Sequence, residues 1–412
     1  MVKNYKIPWA AWREPEFLEL TFPDSWNTSL YKMNGSNTPE LKAEEIKKSI
    51  LNPIGTPKIS ELGKGKSRVV IVIDDMTRPT PVSKIIPYVL EELNEAGIYD
   101  YQITVILAIG AHRPMTRNDC ILKLGKDLVS RLNIENHHPY ENLTYIGKST
   151  RGTPIYVNKT YMDADLKIAI GGVIPHPLAG FGGGAKIVLP GVCGIKTLEA
   201  NHSAGMKGKA GGIGRMTDIR RDIEEIAEEV GLDFSINVIL SDYGKISKIF
   251  SGHFKKAHRK AMEFGKQFYS TKVDLNNQIC FFNSYPEDSE LIQAQYKPFN
   301  FLTTAPRDIL DNEGAIVIMT ASYEGRGYHS LVGETGSKLY KNIGETIFWK
   351  VFVNKKKVYI FSPNVSEFDK NHCFPESVKL FDNWNNLVQE LGKNYKNSPK
   401  AAIIPSSIQL CE

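Results

Sequence analysis

The segment VVIVIDDMTRPTP, Val69 to Pro81, decides how this chain is read. Val69 to Ile73 is an unbroken β-branched run with no polar alternation. A strand apolar on both faces is one buried on both faces, as in parallel sheets covered by helices. It ends abruptly in Asp74-Asp75. Val82 to Ala96 follows with Ile85, Ile86, Val89, Leu90 and Leu93 on one helical face and Gly97 as its stop. Ile103 to Ala108 and Leu166 to Ile170 repeat the buried-strand pattern, each running into glycine-containing turns. Strand, helix, strand in this order predicts parallel α/β structure.

Outward from that segment the pattern recurs. Ile279–Phe282, Ala315–Thr320, Val358–Ser362 and Ala401–Pro405 are short apolar strands, and Pro375–Leu391 reads as a helix among them. Upstream, a β-rich lead-in precedes a helix over Thr38–Leu51. Apolar periodicity is lost between Tyr269 and Gln278. The expected architecture is two α/β domains with mainly parallel sheets: residues 1–273 for cofactor binding and catalysis, and residues 274–412 as a C-terminal α/β domain. The active site is expected in the cleft between them.

The chain has 412 residues, 42% hydrophobic and 24% charged, the mixture of an ordinary globular protein. A net charge of +5 is too mild for a nucleic-acid surface, and Lys355-Lys356-Lys357 reads as a solvated turn. Five scattered cysteines without a CxxC fit reduced thiols. The N-terminus has no apolar core of signal-peptide length, and no apolar stretch approaches a membrane span. The expectation is a cytoplasmic protein that binds neither nucleic acid nor membrane.

Ligands in open α/β sheets bind beyond the carboxyl ends of the strands, and three polar segments lie there. Asp74 to Pro81 offers two carboxylates, hydroxyls and Arg78, whose fork suits a carboxylate or phosphate. Asp75 is placed to orient a neighbouring base. A capped helix start with a surface Asp–Arg pair is the plainer reading of the same residues. Gly110 to Thr116 holds His112 in a tight turn. Gly171 to His202 carries His176, the run Gly180-Phe181-Gly182-Gly183-Gly184, then Lys186 and His202. Such a run lets backbone N–H groups approach a bulky ligand closely, although a surface loop has the same composition. It is not a nucleotide-binding P-loop, because no Ser or Thr follows Lys186. His137-His138 reads as loop surface.

DDMTRPTP, GAHRPMT, HPLAGFGGGAKIVLPG and the later ANH resemble, in order and spacing, the signature segments of the lactate racemase family. The resemblance is strongest from Asp74 to His202 and fainter beyond. It implies a racemase or epimerase of a 2-hydroxy acid that works by proton abstraction and hydride transfer. It also implies a covalently attached nickel pincer nucleotide, a pyridinium-3,5-bisthiocarboxylic acid mononucleotide carrying nickel. By resemblance, Lys186 tethers this cofactor, His202 ligates nickel, and Thr77, Gly182, Gly183 and Gly184 contact the group. His112 and His176 are then the acid/base pair. Asp75, Arg78, Gln293, Tyr296 and Lys297 are the expected substrate contacts. Transient cofactor-delivery proteins are implied partners.

One departure stands out. The family places Gln and Lys in a pattern like QAxK, whereas here Gln293-Ala294-Gln295-Tyr296-Lys297 puts tyrosine at the lysine position. This questions lactate as the substrate. Arg326 and His329, in EGRGYH, are further polar groups available to a larger one. Three other readings stay open: a pyridoxal-phosphate enzyme with Lys186 as its Schiff-base lysine, a non-catalytic nickel- or cofactor-binding protein, and a sugar-phosphate module built on the glycine run.

Overall fold

The computed structural model describes residues 2–206, 212–306, 308–331 and 356–412; Lys355, the first of the three-lysine run, lies outside them. The chain divides into two compact units, one formed by Asn37–Gln267 and the other by Met1–Ser36 together with Phe268–Glu412.

The Asn37–Gln267 unit is built on a six-stranded sheet. Its order is Ile246–Gly252, Phe234–Leu240, Leu166–Gly172, Val69–Asp74, Ile103–Ala108, Asn133–Asn136. All neighbours are parallel except the antiparallel pair Phe234–Leu240 and Ile246–Gly252. Val69–Ile73 lies at the centre and is buried throughout, as its two-faced apolar character requires. Each such side chain contributes roughly 1.5–3 kcal/mol by leaving water. From Val69–Asp74 the chain moves outward through Ile103–Ala108 and Asn133–Asn136, then returns to place Leu166–Gly172 on the other side. The strand order therefore reverses between Val69–Asp74 and Leu166–Gly172, the switch point where a crevice opens beyond the strand ends.

The second unit holds a fully parallel six-stranded sheet, ordered Lys379–Phe381, Lys357–Phe361, Leu310–Met319, Asn277–Asn283, Lys400–Ile404, Asn27–Leu30. Its edge strand comes from the start of the chain. The hairpin Val2–Pro8 and Phe17–Pro23 covers one face of this sheet. Phe22 packs edge-on against Phe281 and Trp384 at centroid distances of 5.2 and 5.3 Å. Buried Asp288 accepts the backbone N–H groups of Ala10 (3.0 Å) and Ala11 (3.2 Å), fixing the loop after the first strand.

The expected division at 273/274 left Met1–Ser36 with the first domain. They pack instead with Phe268–Glu412, because Asn27–Leu30 finds its backbone partners in Lys400–Ile404. The helix expected over Pro375–Leu391 is a strand, Lys379–Phe381, followed by a helix, Trp384–Asn394. The helix expected from Thr38 starts at Ala43. No helix among the described residues is long and apolar enough to cross a membrane.

Phe22→Ala should cost about 3–5 kcal/mol, the range for emptying a buried aromatic site. Hydrogen exchange should locate the lost protection in Asn277–Asn283 and Leu310–Met319, with Val69–Asp74 unaffected. Protection lost equally in both sheets would contradict the assignment of the N-terminal hairpin to the second unit.

Candidate active site

Three loops of the Asn37–Gln267 unit start at the carboxyl ends of its central strands. The first follows Val69–Asp74 and turns under the control of Lys123, which is fully buried. Lys123 Nζ donates to the carbonyls of Asp75 (2.9 Å) and Arg78 (2.7 Å). It also lies 2.8 Å from Asp74 Oδ1, an ion-pair contact at an angle outside hydrogen-bond geometry. Asp74 Oδ2 accepts Thr80 Oγ1 (2.5 Å) and the Gly172 N–H (3.1 Å), joining the two strands that flank the switch point. Burial lowers the Lys123 pKa, opposed by the charges of Asp74 and Asp75.

With its carbonyl held inward, Asp75 turns its carboxylate to His112, which lies past the end of Ile103–Ala108. His112 Nδ1 is 2.5 Å from Asp75 Oδ2. Asp75 Oδ1 accepts the Thr77 N–H (2.9 Å) and hydroxyl (2.6 Å). Arg78 donates to Thr77 Oγ1 at 2.9 Å. Burial alone would raise the Asp75 pKa. The facing His112 and the nearby Arg78 and Thr77 outweigh it and hold the carboxyl well below the usual carboxylate range. A carboxylate kept ionised beside an imidazole Nδ1 is the arrangement that orients a general base. The Thr77 hydroxyl belongs to this pair.

The third loop, after Leu166–Gly172, carries His176 and the glycine run. His176 Nδ1 accepts the backbone N–H groups of Leu178 (3.2 Å) and Ala179 (3.1 Å). The run itself is gripped by Arg220, a wholly buried guanidinium. It donates to the carbonyls of Ala179, Gly183 and Gly182, each at 3.3 Å, and to that of Phe181. His258 Nε2 donates to the Gly182 carbonyl at 2.7 Å. The close approach expected of these glycines is made to the protein itself. A Cβ at Gly182 would meet the Gly172 carbonyl at 2.8 Å, and one at Gly183 would meet Val173 at 2.6 Å. At Gly184 (φ +55°) it would meet His258 at 2.9 Å. On the side where a Cβ would project, these three glycines pack against the protein's own atoms.

Lys186 follows in the turn Gly184–Ile187. His202 lies on the helix Ile195–Met206 and donates Nδ1–H to the Leu198 carbonyl (2.9 Å), which leaves the lone pair on Nε2. Burial first, and then the Lys186 ammonium, lower the His202 pKa to about 4, so the ring is neutral and able to ligate a metal. The preceding Asn201 donates to Asp222 (2.7 Å), a buried carboxylate that also accepts Ser149 (2.6 Å) and Thr153 (2.8 Å). Among the described residues no three His, Cys, Asp or Glu side chains converge to hold a metal.

In the second unit, Gln293 sits on the short helix Leu291–Ala294, Tyr296 at the turn after it, and Lys297 at the start of Lys297–Leu302. These elements follow the central strand Asn277–Asn283. Lys297 pairs with buried Glu287, so its charge is already matched. The turn through Gly325 and Gly327 caps this segment: the carbonyls of Gly325 and Arg326 accept the N–H groups of Leu291 and Ile292, both at 3.0 Å. His137, expected at the surface, is buried and donates to the Cys193 carbonyl at 2.9 Å. Lys123, Arg220, Asp222 and His258 escaped the sequence reading. The one signal was Lys123 lying on the same helical face as Cys120 and Leu124.

Lys123→Met should be strongly destabilising, by about 3–5 kcal/mol, because it strands Asp74 as an uncompensated buried charge. Adding Asp74→Asn should recover part of the loss. Denaturant unfolding of the single and double variants checks this, and strictly additive losses would contradict the pairing.

Residues 14–214 match the family model described as lactate racemase N-terminal domain. The lactate racemase of Lactiplantibacillus plantarum is 34% identical over 70% of this chain and 69% of its own length. That of Thermoanaerobacterium thermosaccharolyticum is 31% identical over 79% of this chain and 76% of its own. The fold matches the latter organism's lactate racemase apoprotein structure across the whole of both chains (TM-score 0.76, 24% identity). It also matches a Thermotoga maritima protein over 91% of this chain and 99% of that one (TM-score 0.68, 19% identity). With two such relatives along most of its length, the chain belongs to the lactate racemase family of isomerases.

Proposed function

We propose that this racemase inverts the hydroxyl-bearing carbon of a 2-hydroxy acid with the help of a nickel pincer nucleotide tethered through Lys186. The observation that carries the reading is the Asp75–His112 pair at the switch point of the first sheet, 2.5 Å between Nδ1 and Oδ2. Held by Asp75, His112 presents Nε2 as the atom that takes the substrate hydroxyl proton. Asp75 then faces the imidazolium and stabilises it. Arg78, on the same loop, supplies positive charge for the substrate carboxylate. His176 is the second polar ring at the site.

His202 and Lys186 support the cofactor. A neutral imidazole with its Nδ1–H committed to a carbonyl and its lone pair on Nε2 would be able to ligate nickel. Lys186, in the turn after the glycine run, is the proposed point of covalent attachment. When bound, the nucleotide supplies the hydride acceptor that lets the carbon lose and regain its hydrogen. The chain's own residues hold that group, bind the acid and manage its proton.

Both relatives are named lactate racemases, yet this chain has Tyr296 where the resemblance expects lysine, and Lys297 is balanced by Glu287. Tyrosine brings a ring and a hydroxyl and no charge at neutral pH. The proposed substrate is therefore a 2-hydroxy acid larger than lactate, with a polar or aromatic substituent.

Intact mass spectrometry of protein loaded with the nucleotide should show an adduct that Lys186→Ala lacks; an unchanged adduct in that variant would overturn the tether. Chiral chromatography of the loaded enzyme on lactate and on sugar, aryl and branched 2-hydroxy acids should show racemisation or epimerisation, fastest on one of the larger acids. Highest kcat/KM on lactate would refute the reading of Tyr296, and turnover of none of these acids would refute the proposed function.

A further inference from the structure

We infer that Asp222 is a positioning residue for His202: it fixes the rotation of the helix Ile195–Met206 and so the point at which the imidazole meets the metal. The inference rests on the proposed role of His202 as nickel ligand and adds to it the group that aims the ring.

His202 is oriented at two levels. Within the helix, its Nδ1–H is committed to the Leu198 carbonyl, four residues back, at 2.9 Å. That bond fixes the ring relative to its own helix and leaves the helix itself unfixed. The helix is held from a neighbouring face. Thr197 and Asn201 stand four residues apart, one above the other. Thr197 Oγ1 accepts the Tyr156 N–H at 2.9 Å, and Asn201 Nδ2 donates to Asp222 Oδ2 at 2.7 Å. At the start of the helix, the Tyr156 carbonyl accepts the Gly194 N–H and the Pro139 carbonyl accepts that of Ile195, both at 2.8 Å. Asp222 extends this hold to the turn that carries His202.

The carboxylate is set among neutral donors: Ser149 (2.6 Å), Thr153 (2.8 Å) and Asn201, all of them buried. Ser149 and Thr153 close the tip of the hairpin Leu143–Lys148 and Pro154–Asn158. Asp222 thus joins that hairpin and its own helix, Asp218–Glu229, to the helix of His202. A buried carboxylate stripped of a donor is costly, so the network resists rotation of any one member. The lever is long. A helix turned by about 20° carries an atom roughly 6 Å from its axis through about 2 Å. Metal–ligand distances are set to within about 0.2 Å. A helix released from Asp222 therefore loosens the ligand without unfolding the unit.

The contact can be reversed, which supplies the test. Asn201→Asp sets two buried carboxylates against each other. Adding Asp222→Asn restores a donor and an acceptor with the roles exchanged, and the new amide oxygen still takes Ser149. Asn201→Leu removes the bond without adding a charge. Each variant is loaded with the nickel pincer nucleotide and titrated with a chelator. Metal analysis reads the nickel, and intact mass reads the adduct on Lys186. Asn201→Asp and Asn201→Leu should hold nickel about 10- to 100-fold more weakly, the range for groups that orient a metal ligand, with the adduct retained. The double variant should recover most of the affinity.

Wild-type nickel affinity in both single variants would overturn the inference. So would a loss that the double variant leaves unrepaired, or nickel and adduct lost together in both single variants, which would make the contact structural alone. His202→Ala separates this from the proposed function. If the wild type takes up no nickel, or His202→Ala holds it as tightly as the wild type, the reading of His202 as ligand fails and the positioning role falls with it. If His202→Ala loses nickel and the Asn201 variants do not, only the positioning role is overturned.

Discussion

Lys123 puts an ammonium where water cannot reach, and three oxygens of one segment surround it: Asp74 Oδ1 as its ion-pair partner, and the carbonyls of Asp75 and Arg78 as hydrogen-bond acceptors. Removing an ammonium from water is expensive unless its donors are satisfied and its charge is matched. Here Asp74 matches the charge and two carbonyls accept its hydrogen bonds in the observed conformation of the loop. That conformation turns the Asp75 carbonyl inward, so its side chain faces His112. It also lets Asp74 reach Thr80 and Gly172 and bind the two strands on either side of the switch point. The dyad, the Arg78 fork and the mouth of the crevice all follow from where one buried cation is coordinated.

The same device recurs around the site. Arg220 collects the carbonyls of Ala179 to Gly183, and Asp222 collects Ser149, Thr153 and Asn201. The loop of Asp75, the glycine run and the helix that carries His202 are each tied to one buried charged group. Loops held this way keep their side chains in register without a regular backbone ladder, as a preorganised polar site requires. The glycines serve this packing, because each allows a contact between the loop and a strand or helix that a Cβ would block.

Much of the first sheet was legible in the sequence. Ile103–Ala108 has the bounds its apolar run suggests, and Val69–Asp74 and Leu166–Gly172 differ only at their ends. Strands buried on both faces announce themselves. Positions just beyond them, such as Asp75, His112 and His176, were legible for the same reason. The division into units was not, because strand pairing across nearly the whole chain leaves no local trace. Asn27–Leu30, NTSL, carries no apolar run, and its place beside Lys400–Ile404 is fixed by backbone pairing that leaves no sequence pattern. Lys379–Phe381 is too short to interrupt a helical pattern. The buried polar residues escaped for a different reason. Lys123, Arg220 and His258 have the residue types of a solvated surface, and only the coordinates of their acceptors place them inside.

The pairing of Asn27–Leu30 with Lys400–Ile404 also orders events during synthesis. Asn37–Gln267 is continuous in sequence and has its own core, so it is complete on the ribosome long before the other sheet has all its strands. The hairpin Val2–Pro8 and Phe17–Pro23 emerges well before the central strand it covers, and Asn27–Leu30 waits longer still, for a neighbour far downstream. During that interval Ile7, Leu20 and Phe22, all fully buried in the finished protein, lie on a nascent chain without the sheet they belong to. The interval is one in which a holding chaperone has apolar surface to bind, and it ends only when the last strand closes the sheet.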